Sequence, residues 1–369
     1  MNVGTVVMRI LFIISGDLWA GAEAVAYQLI KGIHQRTQDE IIVVLLNHGK
    51  LSELCKNIGV KTYVIDETRY SFIYILYKLI IITLKTKPSI IHSHRYKENI
   101  LAAILKPFAS RSKLIMTVHG KPETKPSIKS LMISMIERLT MKYLFSKIVA
   151  VSDDLCKYII EHQGVQPSKV IRIFNGLDII EKREIQKNRT TIIKIGSAGR
   201  FVPVKDYTFL VDIAHEVCLR FKNIQFLLAG DGPDRDLILD RIRHYGLEGN
   251  FKILGQIEDI EQFFIRLDIY INTSKHEGIP MAVLEAMNYS IPVIAPDVGG
   301  MVEIIEDGKT GYIIRSRNIH EFVNAIEDII KTPNKMMEMG ECSHERLKNM
   351  FSHDLMVKSY CSLYREILQ

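Results

Sequence analysis

Two segments of this 369-residue chain carry the side chains best suited to holding an anion. The first is Gly199-Arg200-Phe201-Val202-Pro203-Val204-Lys205-Asp206, which follows a β-rich run and precedes a helical one. Arg presents a rigid fork to phosphate oxygens and Lys a point charge. In a strand-to-helix loop, Arg200 and Lys205 therefore suit a diphosphate, at roughly 1.5–3 kcal/mol for each charge-assisted bond. The second segment is His276-Glu277-Gly278-Ile279-Pro280-Met281-Ala282-Val283-Leu284-Glu285-Ala286. Its proline predicts a helix opening at Pro280 or Met281. The backbone of Gly278, Ile279, Pro280 and Met281 then forms a helix start aimed at a cleft, a ready anion site. Glu285, about one turn further on, suits a ribose diol, and Glu277 in the loop suits sugar hydroxyls. Glutamates around a helix start also serve the helix dipole, and a surface Arg or Lys is commonly just solvated, so the bare spacing leaves both readings open.

The N-terminal half offers weaker signals. Gly16-Asp17-Leu18-Trp19-Ala20-Gly21-Ala22-Glu23 follows a first strand and opens a helix, but it lacks the GxGxxG dinucleotide fingerprint. Gly21 lets backbone amides approach a ligand closely. Trp19 has the face to stack on a sugar ring, although packing is the commoner fate. Val118-His119-Gly120 ends a later strand, and a lone His there is more often structural than functional. Gly230-Asp231-Gly232-Pro233 reads as a tight turn. The Asp234-Arg235-Asp236 that follows has the spacing many metal-dependent transferases use, yet it falls in a helix first turn, where acids complement the dipole. No metal site is expected. The five cysteines are scattered, with no CxxC pair, which excludes a zinc or disulfide framework and suits a reducing, cytoplasmic setting.

These residues need elements to hold them. Strands are predicted at Met8–Ile14, Ile41–Leu46, Lys61–Ile65, Ser89–His92, Lys113–Val118, Lys147–Val151 and Lys169–Phe174. After a charged linker over Asn175–Thr191 the rhythm restarts, with strands at Ile192–Ala198, Ile224–Ala229, Phe251–Leu254, Ile269–Asn272, Pro292–Ala295 and Gly311–Ile314. Their β-branched, weakly alternating composition fits parallel strands buried on both faces. Repeated βα units imply an α/β fold of two doubly wound parallel-sheet domains, with ligands at the carboxyl ends of the strands. The predicted division is 1–178, 179–353 and a terminal helix over 354–369.

Charge is sorted between the halves: residues 1–175 carry a net +11 and the remainder −5. The basic half is expected to meet something anionic. It shows no nucleic-acid-binding motif, so an acidic membrane surface or a phosphorylated acceptor is the expected partner and nucleic acid is not. Lys121, Lys125, Lys129, Arg138, Lys142 and Lys147, against Glu123 and Glu137, are mixed with apolar residues as in an interfacial helix. Ser71–Leu84 is apolar nearly all round but, at fourteen residues, too short to span a bilayer. Ordinary helix packing explains both segments equally well. The first sixteen residues read as a strand rather than a signal peptide.

In their order along the chain these pieces resemble glycosyltransferase family 4, the retaining GT-B enzymes also called group 1. The resemblance runs through Gly21-Ala22-Glu23, Val118-His119-Gly120, Val151-Ser152, Asn175-Gly176-Leu177-Asp178, Gly199-Arg200 with Lys205, Gly230-Asp231-Gly232-Pro233, Glu277 with Glu285, Gly299-Gly300, Glu303 and Asp307-Gly308. It departs where two adjacent glycines usually precede the early Glu and Ala20-Gly21-Ala22 stands instead. It implies a UDP- or GDP-linked sugar as donor, no cofactor, and a glycan or lipid-linked acceptor on the N-terminal domain, in cell-envelope polysaccharide synthesis. Arg200 and Lys205 would neutralise the diphosphate, Glu285 would hold the ribose and Glu277 the transferred sugar. Gly278, Ile279, Pro280 and Met281 would contact phosphate and sugar, Gly21 would approach the donor, and His119 would lie beside the sugar. Leu254 and Ile257 would border the base. The terminal helix would cross back to the first domain. A GT-B nucleotide-sugar epimerase and a non-catalytic sugar-nucleotide-binding subunit are the competing expectations.

Overall fold

The computed structural model describes residues 7–17, 19–121, 128–181 and 192–369. The chain divides into two α/β units, Met1–Gly176 with His353–Gln369, and Leu177–Ser352. The first holds β1 (Arg9–Ile14), β2 (Glu40–Leu45), β3 (Lys61–Val64), β4 (Ile90–Ser93), β5 (Lys113–Val118), β6 (Lys147–Ala150) and β7 (Val170–Arg172). All pair in parallel, in the order β3-β2-β1-β4-β5-β6-β7. Apart from the first residue of each, β1 and β2 are buried throughout, as expected of strands covered on both faces.

Burial extends to polar groups that find partners. On β4, His92 sits between the Tyr364 hydroxyl at 2.7 Å and Thr117 Oγ1 at 2.9 Å. Ser93 Oγ donates to Asn99 Oδ1 at 2.7 Å. Tyr364 comes from the terminal helix His353–Glu366, which packs on the helix Gly21–Arg36. There His353 Nε2 lies 2.8 Å from the Gln28 carbonyl and Arg36 pairs with Asp354. Tyr360, also fully buried on this helix, meets Thr117 Oγ1 at 2.9 Å.

The second unit repeats the plan with β8 (Ile193–Ala198), β9 (Ile224–Ala229), β10 (Phe251–Gly255), β11 (Ile269–Ile271), β12 (Val293–Pro296) and β13 (Gly311–Ile314). These are parallel in the order β10-β9-β8-β11-β12-β13. Ile195, Leu210, Val217, Phe226, Phe322 and Ile326 build its core. Every predicted strand forms within two residues of its expected position.

The chain enters the second unit at Leu177, whose N–H donates to the Phe351 carbonyl at 3.0 Å and which bridges to Ser352. Asn288 then holds the incoming chain, donating to the Asp178 carbonyl at 2.8 Å and accepting from the Ile180 N–H at 3.0 Å. These bonds set the boundary at Gly176/Leu177, two residues before the predicted one, and the return at Ser352/His353, one residue before it. Most of the predicted linker (182–191), residues 1–6, Glu123 and Lys125 lie outside the described residues, as do the side chains of Ile128 and Lys129. Ser71–Leu84 becomes the helix Phe72–Thr86, capped by Ser71 Oγ, which accepts from the Tyr74 N–H at 3.4 Å. Among the described residues no helix is long and apolar enough to cross a membrane.

Candidate functional site

In each sheet the strand order reverses beside the first strand, at β1/β4 and at β8/β11. Loops leaving the carboxyl ends of such a pair diverge and leave a crevice between them. In the second unit those loops are 199–206, after β8, and 272–280, after β11. They are stitched together. Thr273 Oγ1 donates to the Lys205 carbonyl at 2.9 Å, and the Lys275 N–H to the Val204 carbonyl at 2.7 Å. Arg317 spans both, reaching Asp206 Oδ2 at 2.6 Å and the Thr273 carbonyl at 3.2 Å.

This stitching brings Lys205 and Glu277 together, with Nζ 2.5 Å from Oε1. The same oxygen accepts from Ser274 Oγ at 2.6 Å and Asn272 Nδ2 at 3.3 Å, and the Ser274 N–H in turn orients Asn272 by donating to Oδ1 at 2.8 Å. Glu277 is thus an oriented, largely buried carboxylate. Arg200, on the same loop as Lys205, is exposed, and its side chain makes no hydrogen bond or ion pair among the described residues.

Two turns brace the loops from behind. Gly299 has φ +54°, and a Cβ there would lie 1.8 Å from the Glu277 carbonyl oxygen. The neighbouring Gly300 N–H donates to the Gly278 carbonyl at 3.1 Å. Gly230 plays the same part for the other loop: a Cβ would lie 1.9 Å from the Gly199 carbonyl oxygen. Phe201 N–H donates to the Asp231 carbonyl at 2.9 Å, and Gly230 N–H to the Gly255 carbonyl at 2.8 Å. The last bond ties the 230–233 turn to the end of β10, where Leu254 is 41% exposed and Ile257 half-buried. Asp234 is the N-cap of the helix Arg235–His244 and Asp236 lies in its first turn.

Pro280 is the N-cap of the helix Met281–Asn288, its carbonyl accepting from Val283 and Leu284. It brings no side-chain acceptor, so the first turn keeps its positive end. Ile279 and Met281 bury their side chains. One turn on, Glu285 is half-buried and its carboxyl has no hydrogen-bonded or cationic partner among the described residues. Burial pushes its carboxyl up to about 7.

Gly21 and His119 belong to the first unit. Gly21 opens its helix behind Ala20, which gives no side-chain cap. Trp19 lies under Lys50 Nζ, 5.1 Å from the ring centre, and edge-on to Tyr27. Glu23 is wholly buried and pairs with Arg95 at 2.8 Å, and burial raises its carboxyl despite that partner. His119 is not a lone histidine. Its Nε2 lies 3.1 Å from His94 Nδ1, and His94 packs in turn on His92. Burial lowers His119 and His92 to about 3 and His94 well below the usual imidazole range, so the column is neutral near pH 7.

Reading the sequence missed Asn272, Ser274, Arg317, His94 and Arg95. A run of small polar residues leaving a strand, as in Asn272-Thr273-Ser274, and the His92-x-His94 spacing were the available signals. The Lys205–Glu277 contact had none, because it depends on β8 and β11 being neighbours.

Two doubly wound parallel-sheet units, the second with glycine-braced cationic loops at its switch point, have the architecture of the GT-B class. The fold is shared with Anabaena Alr3699/HepE, solved in complex with UDP and glucose, at a TM-score of 0.85 and 21% identity over 97% of this chain and 100% of that one. Residues 178–346 match the family described as "Glycosyl transferases group 1" and residues 19–181 "Glycosyltransferase Family 4". The chain belongs to this family. It is 25% identical to the N-acetyl-alpha-D-glucosaminyl L-malate synthase of Bacillus anthracis, over 76% of this chain and 75% of the relative. It is 24% identical to the UDP-Gal:alpha-D-GlcNAc-diphosphoundecaprenol alpha-1,3-galactosyltransferase of Escherichia coli, over 92% and 95%.

Proposed function

We propose that the chain is a retaining, metal-independent glycosyltransferase that moves a hexose or N-acetylhexosamine from a UDP- or GDP-linked donor to a glycan or lipid-linked acceptor of the cell envelope, on the cytoplasmic side. One observation carries this reading. The Arg200 side chain has no partner among the described residues, on the loop that presents the Lys205–Glu277 pair. A helix start without a side-chain cap follows the next loop, and within that helix the Glu285 carboxyl has no partner among the described residues. A diphosphate on Arg200, Lys205 and the first amides of Met281–Asn288 supplies the missing anion. Ribose hydroxyls donate to Glu285, and sugar hydroxyls to Glu277 beside Lys205. The donors and acceptor of the relatives support the choice: UDP bound in the Anabaena protein, and UDP-galactose and a diphosphoundecaprenol-linked sugar for the E. coli enzyme.

In the proposed reaction the glycosidic bond to the diphosphate breaks as the acceptor oxygen attacks the same face of the sugar. The acceptor's proton passes to the departing diphosphate oxygen. Arg200 and Lys205 stabilise the charge growing there, so electrostatic positioning does the catalytic work. His119, neutral near pH 7, is assigned to hydrogen bonding beside the sugar rather than to proton transfer. Arg200→Ala combined with Lys205→Ala is expected to lower turnover by about a hundredfold or more, the scale of losing a preorganised charge-stabilising group. The assay follows nucleotide diphosphate released against acceptor glycosylated. Undiminished turnover in the double variant would falsify the site, and a new free nucleotide sugar without acceptor transfer would make the protein an epimerase.

A further inference from the structure

We propose that two helices of the first unit, Phe72–Thr86 and Ile128–Tyr143, form a docking face for an anionic lipid surface. This deepens the proposed function by naming where a lipid-linked acceptor would be met, and rests on that reading only for its purpose. Along the first helix Ile73, Tyr77 and Leu84 stand out of the core, Ile73 78% exposed. Along the second, Leu131, Met135 and Leu139 do so, at 62%, 60% and 48%. Residues four apart share one side of a helix, so Ile73 with Tyr77, and Leu131 with Met135 and Leu139, form rows. The opposite side of the first helix sends Ile75, Leu79 and Ile82 into the core. A short buried helix, Tyr96–Leu105, packs against each of the two. The three connect β3 to β4, β4 to β5 and β5 to β6. Right-handed crossovers running in one direction along a parallel sheet put their helices on one face. Both exposed rows therefore belong to one layer.

Charge decides what fits this layer. Phe72–Thr86 contains no Asp or Glu but carries Lys78 and Lys85. The one acid of Ile128–Tyr143, Glu137, accepts from Asn99 Nδ2 at 2.9 Å, away from the apolar row, and burial raises its carboxyl. Among the described side chains of that helix, Arg138 and Lys142 are the cations beside the apolar row, Arg138 Nε donating to the Gln163 carbonyl at 3.0 Å. An apolar face that, among the described residues of the two helices, is bordered by Lys78, Lys85, Arg138 and Lys142 suits the interface of an anionic bilayer, where apolar burial and attraction to acidic headgroups add. A second copy of the chain would instead bring like charges together.

The test is flotation of the full-length protein with vesicles of phosphatidylglycerol and phosphatidylcholine, compared with phosphatidylcholine alone. Binding to the acidic vesicles that weakens with salt is expected. Two variants, Leu131→Glu with Met135→Glu and Lys78→Glu with Lys85→Glu, should each lower it about tenfold or more. Leu131, Met135 and Lys85 are exposed and Lys78 is half-buried against the Tyr74 ring, none of them in the core, so UDP binding and the melting temperature should stay at the parent values, which confirms the variants are folded. Three results would overturn the proposal: no flotation with acidic vesicles at low salt, parent-like flotation of both variants, or a solution dimer that the same substitutions dissolve. Vesicle binding needs no donor and the turnover assay needs no vesicle. Flotation with failed turnover control, or the reverse, therefore tells the two readings apart.

Discussion

Glu285 is a carboxylate kept without a partner among the described residues in a half-buried place, and this has a measurable consequence. Its folded-state value of about 7 lies above the ordinary 4.5. The folded protein therefore holds the proton to higher pH than the unfolded chain does. Stability falls as pH rises from about 4.5 through about 7, by about 3 kcal/mol in all. Glu285→Gln removes that burden while keeping the shape. The variant should melt several degrees higher than the parent at pH 8, with little difference at pH 5. If ribose hydroxyls donate to this carboxylate, the same change weakens UDP binding about tenfold or more, and parent affinity drops as pH falls below about 7. Calorimetric titration of UDP at pH 6 and 8 decides it. Equal affinity of parent and variant would remove Glu285 from the donor site. Stability gained where function is lost is the usual mark of a group retained for a ligand.

At the scale of elements, what could be read from the sequence follows burial. Strands such as β1 and β2 announce themselves because a parallel strand covered on both faces must be apolar along its length. The helix start at Met281 was equally plain from Pro280. The contact between Lys205 and Glu277 was not, since it follows from strand order rather than from spacing. Nor did any sequence signal give the glycines their reason. Gly299 lies in the left-handed region with the Glu277 carbonyl against it, whereas Gly308 is also left-handed, at φ +75°, but faces open space. Gly308→Ala should therefore cost only the backbone strain, about 1–2 kcal/mol. Gly299→Ala adds a backbone clash that no side-chain adjustment relieves, so it should destabilise by clearly more and displace Glu277, weakening donor binding as well. Thermal unfolding of the two variants and their UDP affinities make the comparison. If they behave alike, the bracing of Glu277 by the Gly299 turn is wrong.

On the scale of the whole molecule, the two units place their buried ionisable groups with opposite pH responses. The first unit buries His92, His94 and His119 in one neutral column, sealed by Tyr360 and Tyr364 from the last helix of the chain. Their folded-state values lie at about 3 for His92 and His119, and well below the usual range for His94. The unfolded chain takes up these protons from about pH 6.5 downward, whereas the folded unit does not. Stability is full above that value and is lost as pH falls, by up to about 1.4 kcal/mol per pH unit for each histidine. In the second unit Glu285 runs the other way, favouring the folded state more as pH falls from about 7 toward 4.5. Acidification from pH 7.5 to 5.5 should therefore loosen β4 and β5 while leaving β8 and β11 as protected as before or more so. Hydrogen exchange followed segment by segment measures this directly. Uniform loss of protection across both units would show that the histidine column does not govern the acid response. Earlier loss in β8 and β11 would show that Glu285 is already ionised in the folded protein well below pH 7.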